Sequence, residues 1–210
     1  EVVEKSDTSV TYELTSSEET MKVYPYEFGL NVTYVLSDDT INVIWSVKNL
    51  GKEEMHFQIG GHPAFNLPGV AEGDKMQGAI LFDNEEPLTR IIGNTEGCIK
   101  PERYEVKTTK HVWAFTEESF ADDAVILDKS QVGLAVLLDA DGRPQIGLSF
   151  DAPCVGIWSP YGKNAPFVCI EPWFGVHDWA EYSGEFKDKY LMNHLLPGAL
   201  FMSNYEIKVF

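Results

Sequence analysis

Apolar and polar residues alternate along most of the chain with a period of two. In TSVTYELT (8–15), Val10, Tyr12 and Leu14 alternate with polar neighbours, the spacing of a strand with one buried face. In INVIWSVKN (41–49), Ile41, Val43, Trp45 and Val47 share a face. LNVTYVLS precedes that segment, and SDDT at 37–40 joins the two. Ser and Asp side chains bond their own backbone in tight turns, so the three pieces predict a hairpin. MKVYPYE, EMHFQIGG, AILFD, AVILD, VGLAVLLD, QIGLSFD, VGIWS, PFVCIEPW and YEIKVF read as further strands, with DADGRP as a turn. PGVAEGDKMQGA, rich in Gly and charge, reads as a surface loop. No stretch holds an apolar stripe at helical spacing over three turns; the best helical candidate is about one turn near Ala180 to Phe186. Many strands without intervening helices predict antiparallel sheets packed face to face. The expected fold class is therefore all-β, a large antiparallel β-sandwich with few or no helices. No repeat or linker divides it, so a single domain over residues 1–210 is expected.

Composition narrows the partners. The 210 residues carry a net charge of −17, which repels nucleic acid and anionic lipid. No apolar run approaches the roughly 18 residues of a membrane span. The three cysteines, Cys98, Cys154 and Cys169, are scattered and outside any C-x-x-C spacing, which favours a reducing, cytoplasmic setting over a disulfide framework. Only Arg90, Arg103 and Arg143 are arginines. Phosphate recognition leans on arginine, so an uncharged small molecule is the better ligand. Nothing here sets an oligomeric state.

Few segments can carry chemistry. Neither a G-x-S-x-G elbow nor a G-x-x-x-x-G-K phosphate loop occurs. His56 and His62 stand six apart and could share a strand face, yet no third metal ligand follows at a telling spacing, so no metal is expected. Cys169, with no basic neighbour in sequence, reads as a buried inert thiol. Two places stand out. In FQIGGHPAFNLP, a strand runs into two glycines and then His62; glycines let a ligand or another backbone come close. In APFVCIEPWFGVHD, Glu171 follows the apolar run Phe167-Val168-Cys169-Ile170. A carboxyl group there is prone to burial, which raises its pKa toward that of a working base. Taken singly, His62 also fits a structural turn and Glu171 a strand-end ion pair. With Phe65, Trp158, Trp173 and Phe174 nearby, the pair describes a site for a sugar, whose C–H faces lie on aromatic rings and whose hydroxyls need fixed polar partners. His177, in GVHD, is either a rim residue or a solvated loop histidine; His111 and His194 stay unassigned.

GGHPAFNLP followed by FVCIEPWFG resembles the aldose 1-epimerase (galactose mutarotase-like) family, the nearer match being its bacterial branch encoded beside lactose genes. The resemblance spans the chain, and the ordered pair of motifs is more specific than either alone. It implies a β-sandwich, in agreement with the strand pattern. It implies that His62 is the acid, in an H-x-x-F-N-L context that includes Phe65 and Asn66, and that Glu171 is the catalytic carboxylate. It places a sugar-binding carboxylate in FADDAVIL, at Asp123 with Asp122 second. Trp158 and Trp173 complete the expected substrate contacts. Members of the family begin earlier, with more strands, an arginine segment and a further substrate-binding histidine, so the domain is expected to be incomplete at its N-terminal end.

The implied chemistry needs no cofactor. An aldose ring opens when O5 gains a proton while the C1 hydroxyl loses one. An imidazole, ordinarily with a pKa of about 6.5, suits the acid, and a carboxyl group lifted by apolar surroundings suits the base. The expected activity is that of a mutarotase on an unphosphorylated hexose. A hexose-6-phosphate 1-epimerase and a carbohydrate-binding module without turnover remain as alternatives.

Overall fold

The computed structural model describes residues 1–93 and 97–210. It forms two large sheets and one short ladder. The nine-stranded sheet runs, in spatial order, Val2–Lys5, Ser9–Thr15, Phe28–Ser37, Thr40–Asn49, Leu200–Val209, Pro144–Phe150, Leu134–Leu138, Gln77–Phe82 and Val112–Thr116. The seven-stranded sheet runs Ile99–Glu105, Thr89–Gly93, Val125–Leu127, Cys154–Trp158, Phe167–Phe174 and Ile59–Gly60, with Ala64–Asn66 also on the Phe167–Phe174 strand. Asn193–Leu195 pairs with Met55–Phe57 as a two-stranded ladder. Pairing between these strands is antiparallel.

The all-β sandwich expected from the pattern is what forms. One buried cluster joins Trp45, Ile80, Leu137 and Leu148 of the first sheet to Val125, Leu127, Ile157, Val168 and Ile170 of the second. The second sheet also has a covered outer face, where Ile91, Ile126 and Cys154 pack with Val176 and, from the rim, Trp158 and Trp173. A strand covered on both faces has no polar side, which is why Phe167 to Ile170 reads as an unbroken apolar run. The hairpin at SDDT is present: Ser37 pairs with Thr40, and Asp38 takes a left-handed φ of 45° in the two-residue turn.

Several expectations need correction. MKVYPYE is not a strand. Ser17 and Thr20 form a capping box that starts a helical turn at Glu18–Met21, and the chain then turns through to the strand at Phe28. The helical turn expected near Ala180 to Phe186 lies later, as a short 3-10 turn at Phe186–Asp188. The loop expected through Ala79 ends earlier, because Gln77 already begins a strand. Tyr12 and Leu14 alternate as predicted but are exposed, while Thr11 is buried and meets Thr33 Oγ1 at 2.9 Å. The second sheet does not reach over the inner face of the Ser9–Thr15 strand, so alternation there marks a face without covering it. Among the described residues, no helix is long and apolar enough to cross a membrane.

Candidate active site

The segment that carries GGHPAFN runs antiparallel along the Phe167–Phe174 strand. Gly60 pairs with Trp173 and Ala64 with Cys169. Between these two paired stretches the same register carries across, which sets His62 opposite Glu171. Backbone bonds hold the crossing: the Gly61 N–H donates to the Pro172 carbonyl at 3.0 Å, and the Ile170 N–H donates to the Pro63 carbonyl at 3.2 Å. Pro63, lacking an N–H, can serve this ladder only as an acceptor. The two motifs, distant along the chain, are thus cross-strand neighbours.

Their side chains meet. His62 Nε2 lies 3.4 Å from Glu171 Oε1. The imidazole is largely exposed, whereas the Glu171 side chain is only 3% exposed. Burial pushes the Glu171 carboxyl group up to about 7, and the Asp123 carboxylate adds to that; a hydrogen bond from Trp173 acts in the opposite sense. Strand alternation explains the burial. Val168 and Ile170 face the first sheet, so Cys169, Glu171 and Trp173 face the other way, toward the second cluster.

That face opens into a pocket of about 690 Å³. His62, Glu171, Asp123, Trp158 and Trp173 all line it. The His62 ring stands edge-on to Trp158 with centroids 6.0 Å apart. Trp173 fits because two strands lack side chains beneath it. A Cβ on Gly60 would come within 2.6 Å of the Trp173 ring, and one on Gly156 within 2.5 Å. Gly60, two residues before His62, therefore makes room for the indole, a close approach that only glycine permits.

Asp123 and Asp122 divide the two roles left open by the sequence. Asp123 lines the pocket and has a left-handed φ of 68°. Asp122 is more than half exposed and lies 3.4 Å from Arg90 Nη2. Phe65 and Asn66 are not among the lining residues. On the Ala64–Asn66 strand, Phe65 packs against the main core and Asn66 is exposed, so neither reaches the pocket. Phe174 likewise packs toward the main core, edge-on to Trp45.

The sequence reading missed Gln58, Asp178 and Lys189, which also line the pocket. His177 lines it as well, edge-on to Trp173, which places it at the rim. Lys189 Nζ lies 3.3 Å from Asp178 Oδ1. Gln58 donates to the Tyr190 carbonyl, and the Tyr190 hydroxyl donates at 2.6 Å to Asp128, a fully buried carboxylate that also takes a bidentate pair from Arg103. Gln58 and Asp178 lie at the ends of the two strings singled out in the sequence, whereas Lys189 lies outside both and only the folded chain brings it to the pocket. Cys169 shares the site with His62 and Glu171, but burial pushes its thiol up to about 12, which leaves it uncharged at neutral pH, as expected for an inert cysteine. His56 and His62 do not form the metal pair that their spacing allowed. The strand breaks at Gln58, and His56 faces His194 instead.

The sequence pattern that defines the aldose 1-epimerase family matches residues 1–178. The chain belongs to that family. The plasmid and chromosomal LacX proteins of Lactococcus lactis subsp. lactis are each 28% identical over 220 residues, a match that covers 98% of this chain and 70% of theirs. A galactose mutarotase related enzyme from Lactobacillus acidophilus is 32% identical, with a TM-score of 0.88, over 100% of this chain and 70% of its own. A galactose mutarotase-like protein from Lactobacillus casei ATCC 334 is 28% identical, with a TM-score of 0.91, over 100% of this chain and 72% of its own. The family expected from GGHPAFNLP and FVCIEPWFG is thus the family found.

Proposed function

We propose that the chain is an aldose 1-epimerase that interconverts the α and β anomers of a hexose without a cofactor. The observation that carries the reading is the contact between an exposed imidazole and a buried carboxyl group, its pKa lifted to about 7, on the floor of a sugar-sized pocket.

The sugar lies against Trp158 and Trp173, with a ring hydroxyl held by Asp123. Ionised Glu171 takes the proton from the C1 hydroxyl. The freed electron pair forms the C1 carbonyl, the C1–O5 bond breaks, and O5 takes its proton from His62. The open aldehyde turns about C1–C2 and presents its other face. Closure runs the same transfers backwards, with Glu171 returning its proton to the carbonyl oxygen and His62 removing one from O5. Both reacting oxygens are bonded to C1, so an acid and a base only 3.4 Å apart can each reach one. General acid and base groups each supply about 10²–10⁴-fold, which is sufficient because mutarotation already proceeds in water.

An unphosphorylated hexose is favoured by where the cations are. Arg90, Arg103 and Arg143 are each engaged with an aspartate, and none lines the pocket. Among the described residues the one lysine in the lining, Lys189, lies against Asp178. Polarimetry of freshly dissolved α-D-glucose and α-D-galactose tests the proposal, with glucose 6-phosphate alongside. Acceleration over buffer on a free hexose is the expected result. Acceleration only on the phosphorylated sugar would move the assignment to a hexose-6-phosphate epimerase. Calorimetric binding of a hexose with no acceleration would leave a binding module.

A further inference from the structure

The two-stranded ladder holds a second group of chemically competent side chains, none of which lines the sugar pocket. His56 and His194 are direct cross-strand partners, with ring centroids 4.8 Å apart. Glu54, just before the first of these strands, places Oε2 3.9 Å from His194 Nδ1 and 4.0 Å from His56 Nε2. The three ligand atoms lie within 4.8 Å of one another. These separations are too long for hydrogen bonds, so the groups converge without satisfying each other. His56 is 7% exposed; its Nε2 faces Glu54, and its other ring nitrogen, Nδ1, is buried with no hydrogen-bond partner among the described residues, an arrangement that usually carries an energetic cost.

We propose that Glu54, His56 and His194 form a binding site for a divalent transition-metal ion. Two imidazoles and one carboxylate make a donor set suited to Zn²⁺, Co²⁺ or Ni²⁺, whereas Mg²⁺ and Ca²⁺ take oxygen ligands. Ligand bonds of about 2.0–2.2 Å in a tetrahedron put the donor atoms about 3.3–3.6 Å apart. The site must therefore tighten slightly around an ion. The two exposed partners allow this, since the Glu54 and His194 side chains are 43% and 48% exposed and free to change rotamer, while His56 is fixed by its buried position. Solvent supplies the fourth ligand. His56 and His194 come from the two strands of a short ladder and Glu54 from the residue before the first, so one ion cross-links the ladder.

The location gives such an ion a structural task. Met55–Phe57 leads within a few residues into the glycines and His62, and Asn193 donates to the carbonyls of Phe57 and Phe174 at 2.9 Å each. An ion on this ladder braces the entry to the His62 segment from outside the pocket, away from the reacting atoms.

Titration of metal-stripped full-length protein with Co²⁺, followed by its visible absorption and by calorimetry with Zn²⁺, tests the proposal. One ion per chain is expected, together with a rise in the thermal midpoint. His194→Ala and Glu54→Gln, both at exposed positions, should each weaken binding at least tenfold and abolish the thermal shift. His62→Ala should leave Co²⁺ binding intact, which separates this site from the His62–Cys169–Glu171 cluster. Absence of binding by the wild-type chain would overturn the proposal. So would binding that survives both ladder substitutions, or binding lost with His62→Ala alone.

Discussion

The Phe167–Phe174 and Ser9–Thr15 strands are both paired on each side within large sheets, yet they meet opposite surroundings. The first is covered on both faces, and Val168, Cys169, Ile170 and Glu171 are all 3% exposed or less. The second carries Tyr12 and Leu14 at 47% and 53% exposure on the face where its pattern places its core. Hydrogen bonding does not separate them. What separates them is whether another layer reaches over the strand. Where it does, one ionisable group among apolar residues keeps its proton to higher pH, which suits Glu171 to the role of base proposed for it.

If that is the source of reactivity, the largest effect belongs to Glu171→Gln. Turnover should vanish while calorimetry still records sugar binding. The same variant tests the cost of burial. The Glu171 pKa of about 7 in the fold exceeds the ordinary 4.5, so folded protein holds the proton more tightly than unfolded protein. This contribution to stability is complete below about pH 4.5 and is lost as pH rises through about 7. Urea midpoints should show Glu171→Gln gaining on wild type across that window, by on the order of 1–3 kcal/mol.

His62→Ala, on the exposed side of the pair, should slow polarimetric turnover by at least about a hundredfold with the fold intact. Ile170→Ala, beneath the site, should cost about 2–5 kcal/mol in denaturant unfolding, while Tyr12→Ala on the uncovered strand should stay within about 0.5 kcal/mol. Equal losses at the two positions would mean that the Tyr12 face is covered in solution. The smallest effect concerns pH. With ionised Glu171 as base, the rising limb of kcat/KM should lie near pH 7, and Asp123→Asn should move that limb to lower pH by removing a neighbouring negative charge.

How much the sequence revealed follows the same division. Strong alternation or unbroken apolar runs located the strands through Thr40–Asn49, Leu134–Leu138 and Phe167–Phe174, and with them the sandwich. Thr89–Gly93, Ile99–Glu105 and Val112–Thr116 went unread. Ile99–Glu105 is mostly polar, contains Pro101 and lies at a sheet edge, where a strand needs neither an apolar face nor every N–H. MKVYPYE alternates like a strand, but a local capping box takes its start into a helical turn. At the site, His62, Glu171, Asp123, Trp158 and Trp173 were legible because each stands in or beside a distinctive local string, and the structure lines one pocket with all five. Phe65 and Asn66 belong to the same string as His62, yet adjacency in a motif does not set which way a strand residue points. Lys189 stands in neither string and reaches the pocket where it meets Asp178, while Gln58 stands in the His62 string but drew no notice beside the glycines and the histidine.

The shared ladder between His62 and Glu171 also governs which changes the chain can tolerate. Loops between the two motifs that stay clear of the pocket can lengthen or shrink without moving either side chain, which the Asp123 loop cannot. A single residue added between Gly60 and Ala64, or between Cys169 and Trp173, is another matter. It would turn one of the two side chains to the opposite side of the sheet, and every residue that the proposed reaction uses would still be present in a protein expected to lack it.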